Sequence, residues 1–231
     1  MHLFYLPTLT SSNKEVTLSE EESKHACRVL RLKVNDTITL LDGVGGTYEA
    51  KILDDNPKRC HVSIVAYSKD EEPFFENHIA IAPTKNMDRL EWFVEKATEL
   101  GVTHISLILC EHSERKVVKL DRIEKIVVSA SKQSKRTYFP IVNELVTFTQ
   151  FLKTYPNGAI AHCEENDKNT LDQVALTQNY PVLIGPEGDF SLKEIEMAKS
   201  SGYVFVTLGK TRLRTETAGL YACMALKHKF E

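Results

Sequence analysis

Three stretches gather residues able to do chemistry: "HCEEND" at 162–167, "IGPEGDFS" at 184–191 and "LGKTRLRTETAG" at 208–219. Each follows an apolar run, and the last two open onto helical patterns. Gly185 and Gly188 permit positive φ and close backbone approach, while Pro186 stiffens the chain between them. Ser191 and Glu194 have the spacing of a capping box, and Thr215 is placed as an N-cap. Neither stretch fits the phosphate-cradling patterns G-x-x-x-x-G-K-[ST] or G-x-G-x-x-G, and carboxylates beside the glycines would repel a phosphate. The residues therefore make either plain tight turns or a backbone-lined wall for a ligand without phosphates. The eight histidines form no H-x-x-x-H pair and no Cys/His cluster. The neighbours in "CEH" (110–112) and "HC" (162–163) would face opposite sides of a strand, so no metal site is expected. No G-x-S-x-G elbow marks a nucleophile.

Charge is unevenly spread. The chain of 231 residues carries a formal net charge of −3, yet His112–Arg136 holds eight Lys/Arg against three Asp/Glu. Within it "SKQSKR" (131–136) ends a predicted helix before Pro140, and "CRVLRLK" (27–33) forms a second, smaller basic group. Such runs are solvated helix faces with cations favoured by the helix dipole, or phosphate contacts. Five cysteines, odd in number and never in C-x-x-C, indicate neither a disulfide framework nor a zinc ribbon. No run is long and apolar enough to span a bilayer, and "MHLFYLPTLT" lacks a secretory leader's basic start. The expectation is a cytoplasmic protein that binds neither membrane nor metal.

The elements that must position these stretches come in two rhythms. "HLFYL", "DTITLLD", "GTYEAKILDD" and "RCHVSIVAYS" read as short strands, and "DGVGG" (42–46) between two of them is a hairpin turn. Ser19 and Glu22 make a capping box for the one helix, which is expected to run through "ESKHACRVLRL". This region resembles a small β-barrel of the RNA-gripping sort. The polar "YSKDEEPFFENH" (67–78) suits a linker. Beyond it strands and helices alternate. "HIAIAPT", "HISLILC", "GAIAHC", "PVLIG" and "YVFVTLG" read as strands. "MDRLEWFVEKATELG", "LDRIEKIVVSASKQSKR", "TFTQFLKTY", "SLKEIEMAKSSG" and "TETAGLYACMALKHKF" read as helices. The alternation implies an α/β fold with a parallel sheet covered on both faces, its ligand at the carboxyl ends of the strands.

"LIGPEGDFSLKEI" followed by "LGKTRLRTETA" resembles the signature of bacterial 16S ribosomal RNA uridine-N3 methyltransferases, knotted S-adenosylmethionine enzymes of the SPOUT class. "HACRVLRLKVND", "EWFVEKATELGV", "SER" (113–115) and "SASKQSKR" match in order, so the resemblance covers essentially the whole chain. Two departures are Asp189, where the family usually has a second glycine, and Arg212-Leu213, where it has Ile-Leu. The resemblance implies a PUA-like β-barrel over 1–70 and a SPOUT methyltransferase domain over 71–231 with a C-terminal trefoil knot. It also implies a homodimer acting on small-subunit ribosomal RNA. An enzyme of the same class acting on another nucleotide or a ribose 2′-hydroxyl, and a non-catalytic ribosome-assembly factor, are the alternatives.

By the same resemblance Ile184, Gly185, Pro186, Glu187 and Gly188 line one wall of the S-adenosylmethionine site. Leu208, Gly209, Leu213, Arg214, Thr217 and Ala218 line the other, with His162, between Ala161 and Cys163, in the floor. Uracil N3 must lose a proton before it can attack. Arg214 is expected to stabilise the anion developing on the uracil carbonyls, and Glu187 to act as base or orienter. The competing expectation is that Glu187 and Arg214 only pair and hold the two loops together. Arg28, Arg31, Lys85, Arg115, Lys132, Lys135 and Arg136 are the expected phosphate contacts.

Overall fold

The computed structural model describes residues 2–164, 168–175, 177 and 179–230. The chain forms two compact units: one takes in the chain up to Glu72 together with Ser131–Phe139, the other Pro73–Ala130 and the chain from Pro140 onward.

The first unit contains β1 (Leu3–Tyr5), β2 (Glu15–Thr17), α1 (Glu20–Lys24), β3 (Thr37–Leu41), β4 (Gly46–Asp54) and β5 (His61–Lys69). They form a five-stranded sheet ordered β1-β3-β4-β5-β2, antiparallel except for β1 on β3. The period-2 pattern of β4 puts Tyr48, Ala50 and Ile52 into a core with Phe4, Ile38, Leu40 and Val62. The turn expected at 42–46 is present: Asp42 Oδ1 accepts from the N–H groups of Val44 and Gly46, both at 2.8 Å. Two expectations change here. Ser19 caps α1 by accepting from the Glu22 N–H, but the Glu22 carboxylate does not return the bond. Its Oε1 accepts instead from the Tyr5 N–H at 3.1 Å and pairs with Lys132 at 2.7 Å. The helix also does not run α-helically to Leu32. Beyond Lys24 it widens into a π-helical turn over His25–Val29, and Arg31 takes a left-handed φ of 58°.

The second unit contains β6 (His78–Ile81), α2 (Met87–Leu100), β7 (His104–Leu109), α3 (Leu120–Ser134) and β8 (Ile141–Thr147). There follow α4 (Phe148–Thr154), β9 (Gly158–Ala161), β10 (Asn169–Thr170) and β11 (Val182–Ile184). The chain continues with α5 (Leu192–Ser200), β12 (Tyr203–Thr207) and α6 (Thr215–Phe230). Helix α3 runs on into the Ser131–Phe139 segment of the first unit. The seven strands are all parallel, in the order β10-β12-β9-β11-β6-β7-β8. Their residues alternate between two faces. Ala80, Ile108, Ile160 and Leu183 pack with α4 and α5 through Phe148, Phe151, Ile195 and Ala198. On the opposite face α6 comes so close that a Cβ on Gly219 would lie 2.6 Å from the Phe93 ring of α2 and 3.1 Å from Ile81. Gly101 ends α2 with φ 102°, as its sequence position predicts. No described helix is long and apolar enough to cross a membrane.

Candidate ligand cavity and cationic surfaces

β12, β9 and β11 are neighbours, so the segments leaving their carboxyl ends meet, as expected for a ligand crevice in an open parallel sheet. Those segments enclose a cavity of about 560 Å³, within the roughly 300–1,000 Å³ of small-molecule sites.

The segment after β11 is held rigidly. The Asp189 N–H donates to Pro186 O at 2.9 Å, closing a turn in which Asp189 itself takes φ 63°. The Asp189 carboxylate accepts from the Phe190 N–H at 2.8 Å and from the Cys163 N–H at 2.7 Å, tying the β9 exit to this turn. His112 Nδ1 lies 3.1 Å from the carbonyl oxygens of both Gly188 and Asp189; two acceptors make it the protonated nitrogen. Ser191 and Glu194 form the predicted capping box, and the buried Glu194 also accepts from the Glu111 N–H at 2.8 Å.

Thr215 is not the N-cap its sequence position suggested. It is the first residue of α6, and its hydroxyl donates to Gly185 O at 3.1 Å, joining the segment after β12 to the one after β11. Gly209 takes φ 117° although a Cβ there would meet nothing within 4 Å, so glycine serves backbone geometry, not space.

Ten of the twelve residues expected around a cofactor line this cavity: His162, Ile184, Gly185, Pro186, Glu187, Leu208, Gly209, Leu213, Arg214 and Ala218. Gly188 and Thr217 do not. Gly188 instead packs under His112, its position for a Cβ 3.1 Å from His112 Cβ, and Thr217 is exposed on α6. Sequence reasoning passed over Lys168, Lys210 and Thr207 as lining residues. It had noted Asp189 and Arg212 only as departures from a pattern. Lys168 carried no motif; its Nζ reaches the His162 and Glu164 carbonyls at 2.6 and 2.5 Å. Glu165, Asn166 and Asp167 of "HCEEND" lie outside the described residues.

His162 is buried, and neither ring nitrogen has a partner among the described residues. Its ring meets Phe205 edge to face at 4.7 Å. Burial first, and the Lys168 ammonium second, push its pKa down to about 4, with Asp189 opposing. Burial likewise lowers the Lys168 pKa and raises that of the Cys163 thiol, which the Asp189 carboxylate raises further. Glu187 Oε1 accepts from the Lys85 N–H at 3.0 Å, while Arg214 is exposed and no ion pair joins the two among the described residues. The pairing expected as the alternative role of these two residues is therefore absent. Among the described residues no group of three or more His, Cys, Asp or Glu could hold a metal.

The cationic residues differ in what holds them. In the second unit Arg115 donates from Nε to Thr84 O at 3.1 Å and from Nη2 to Lys85 O at 2.6 Å. Lys85 itself pairs with Glu114 at 2.7 Å. In the first unit Lys132 is drawn to Glu22 and lies 5.8 Å above the Phe4 ring. Arg28, Arg31 and Lys135 are exposed, the last two with φ 58°, and Arg136 is half-buried.

Residues 70–227 match a family described as an RNA methyltransferase domain, and residues 18–65 match an RNA methyltransferase PUA domain. The chain is 37% identical to a probable rRNA-methyltransferase from Porphyromonas gingivalis, with a TM-score of 0.89 over 99% of this chain and 98% of that one. It is 29% identical to a ribosomal RNA small subunit methyltransferase E from Neisseria gonorrhoeae solved bound to S-adenosyl methionine, with a TM-score of 0.88 over 100% and 98%. The Synechocystis ribosomal RNA small subunit methyltransferase E is 32% identical over 88% of this chain and 69% of the relative. Two compact units, a seven-stranded parallel sheet with its cavity at the strand ends, and these matches together assign the chain to the RNA methyltransferase family that includes the ribosomal RNA small subunit methyltransferases E.

Proposed function

We propose that this protein transfers a methyl group from S-adenosylmethionine to N3 of a uridine in the RNA of the small ribosomal subunit. The observation that carries the reading is the cavity where β9, β11 and β12 end, in a chain of this family. Its residues suit that cofactor. Gly185 and Gly209 expose backbone groups, Ile184, Leu208, Leu213 and Ala218 offer apolar surface, and the buried His162 has ring nitrogens to spare. Nothing there has the form of a phosphate cradle. When bound, S-adenosylmethionine supplies an electrophilic methyl carbon beside a sulfonium charge.

The chain's own residues then have two tasks. The first is to hold a uracil ring in line, where alignment alone lowers the barrier strongly. The second is to manage the N3 proton. Arg214 stabilises negative charge as it develops on the uracil carbonyls. Glu187, with one oxygen fixed by the Lys85 N–H, presents the other to the N3 proton or orients the base. A base inside folded RNA must be splayed out, which calls for grip on the flanking phosphates. Arg28, Arg31, Lys135 and Arg136 of the first unit serve that grip, with Lys85, Arg115 and Lys132 set by their internal bonds to order the surfaces around them.

The Thr215–Gly185 bond between adjoining segments is what a trefoil threading of the C-terminal chain would place in contact. The working form is a homodimer, for which the exposed Trp92, Tyr221 and Met224 offer apolar surface. Ribosomal RNA as substrate places the protein in the cytoplasm. Incubating it with S-adenosylmethionine and undermodified small subunits, then identifying the nucleoside by mass spectrometry, tests the reading. 3-Methyluridine is expected; a 2′-O-methyl product, or no cofactor binding by calorimetry, would overturn it.

A further inference from the structure

We propose that His162 seats the adenosine part of the bound cofactor through a direct hydrogen bond from its uncharged imidazole. The inference rests on the cofactor reading above and names the end of the cavity in which each half of that molecule lies. Buried polar atoms in folded chains are nearly always hydrogen-bonded, so one that is not calls for an explanation. His162 is 7% exposed, lines the cavity, and has both ring nitrogens unpartnered among the described residues. Its orientation is not loose. The Phe205 ring meets it edge-on at 88°, and the peptide that follows it is held at both its polar groups, the His162 carbonyl accepting from the Lys168 ammonium and the Cys163 N–H donating to Asp189. A fixed, buried imidazole with nothing to bond is arranged for an incoming group.

The cavity says which group. Beside His162 the buried, apolar Ile184 and Val206 both pair with Ala161 in the sheet, and the half-buried Lys168 and Asp189 balance in charge, whereas Glu187, Lys210, Arg212 and Arg214 on the other segments are charged and exposed. A molecule with a flat, uncharged heteroaromatic end and a doubly charged amino-acid end places the first in the buried part and the second at the rim, because burying an unpaired charge costs far more than burying a ring. The neutral imidazole offers one donor and one acceptor, and adenine carries ring acceptors and an exocyclic donor to match. Burial first, and Lys168 second, keep the imidazole uncharged, so the ring itself does not repel a sulfonium elsewhere in the same cavity.

Isothermal titration of the full chain with S-adenosylhomocysteine and with 5′-methylthioadenosine, which lacks the amino-acid end, tests this. His162→Phe keeps the ring volume and removes both nitrogens; His162→Gln restores a donor and an acceptor. The Phe variant should bind both probes about tenfold or more weakly, by a similar factor for each, and Gln should recover part of the loss. Without ligand the Phe variant should melt no lower than the wild type, since it removes two unsatisfied nitrogens. Wild-type affinity in the Phe variant, a loss confined to S-adenosylhomocysteine, or a lower melting temperature without ligand would each overturn the inference. Failure of the wild type to bind either probe would instead bring down the cofactor reading, and this inference with it.

Discussion

At Asp189 the backbone takes a left-handed φ that Asp tolerates better than most residues, and the carboxylate repays that strain with two N–H bonds. The side chain thus replaces conformational freedom with an anchor between the β9 exit and the turn after β11. Asp189→Ala keeps the strain and loses both bonds, and should destabilise the fold by about 2 kcal/mol in chemical denaturation. Asp189→Gly loses the bonds but relaxes the φ, and should cost roughly 1 kcal/mol less. His162 and His78 set an acid limit. Burial holds His162 near pKa 4 and His78, beside His104, near 3, both below the ordinary 6.5. Each folds uncharged, so the unfolded chain takes up more protons as the pH falls below about 6.5. The stability they contribute is full above that pH and is lost progressively on acidification, down to about 4 for His162 and about 3 for His78. Urea midpoints measured from pH 7 to 4 should fall less steeply in His162→Phe than in the wild type. From the sequence, Asp189 was visible only as a departure from a pattern, and nothing near it marked the Cys163 N–H as its partner. That contact joins residues distant in the chain, and the turn alone does not reveal it.

The elements were more legible than their joints. Amphipathic spacing and Gly101 gave α2 its true end, and Ser191 with Glu194 gave α5 its start, because both signals are local. The strands β2, β8 and β10 were missed for one physical reason. Each lies at an edge of its sheet and pairs on one side only, so none needs a continuous apolar run. The extent of α1 was misjudged because a single π-helical turn of i→i+5 bonds, inserted where the α-helix would continue, leaves no local sequence signal of its own. Gly219 shows how packing overrides propensity. Within α6 an alanine would favour the helix by about 1 kcal/mol, yet its Cβ would press into the buried Phe93 ring. Gly219→Ala is therefore expected to lower stability by about 1–2 kcal/mol net, read as a lower melting temperature with the circular-dichroism spectrum unchanged. A gain in stability would mean that α6 can shift away from α2 at little cost.

For the molecule as a whole, the basic stretch at 112–136 divides by what its charges touch. Arg115 and Lys132 are spent on internal partners, whereas Arg28 and Arg31 stand exposed on the other basic group. Replacing Arg28 and Arg31 together with Gln should weaken binding to small-subunit RNA and lower the slope of log affinity against log salt by about 1.4, about 0.7 per lost phosphate contact. S-adenosylhomocysteine affinity should not change. An unaltered salt slope would remove these residues from the RNA surface. Composition made the charge imbalance visible but could not separate committed cations from free ones. The Ser131–Phe139 segment carries a different consequence. Its Thr137 and Tyr138 side chains bond Asp70, its backbone joins Gly43 and Gly45, and Phe139 stacks on Tyr5 at 4.7 Å, all within the first unit. A ribosome delivers the chain from its amino end, so this unit cannot complete itself when Glu72 emerges. It must wait, with one side unfinished, until Phe139 has left the exit tunnel, by which point β6 and β7 of the parallel sheet are already outside.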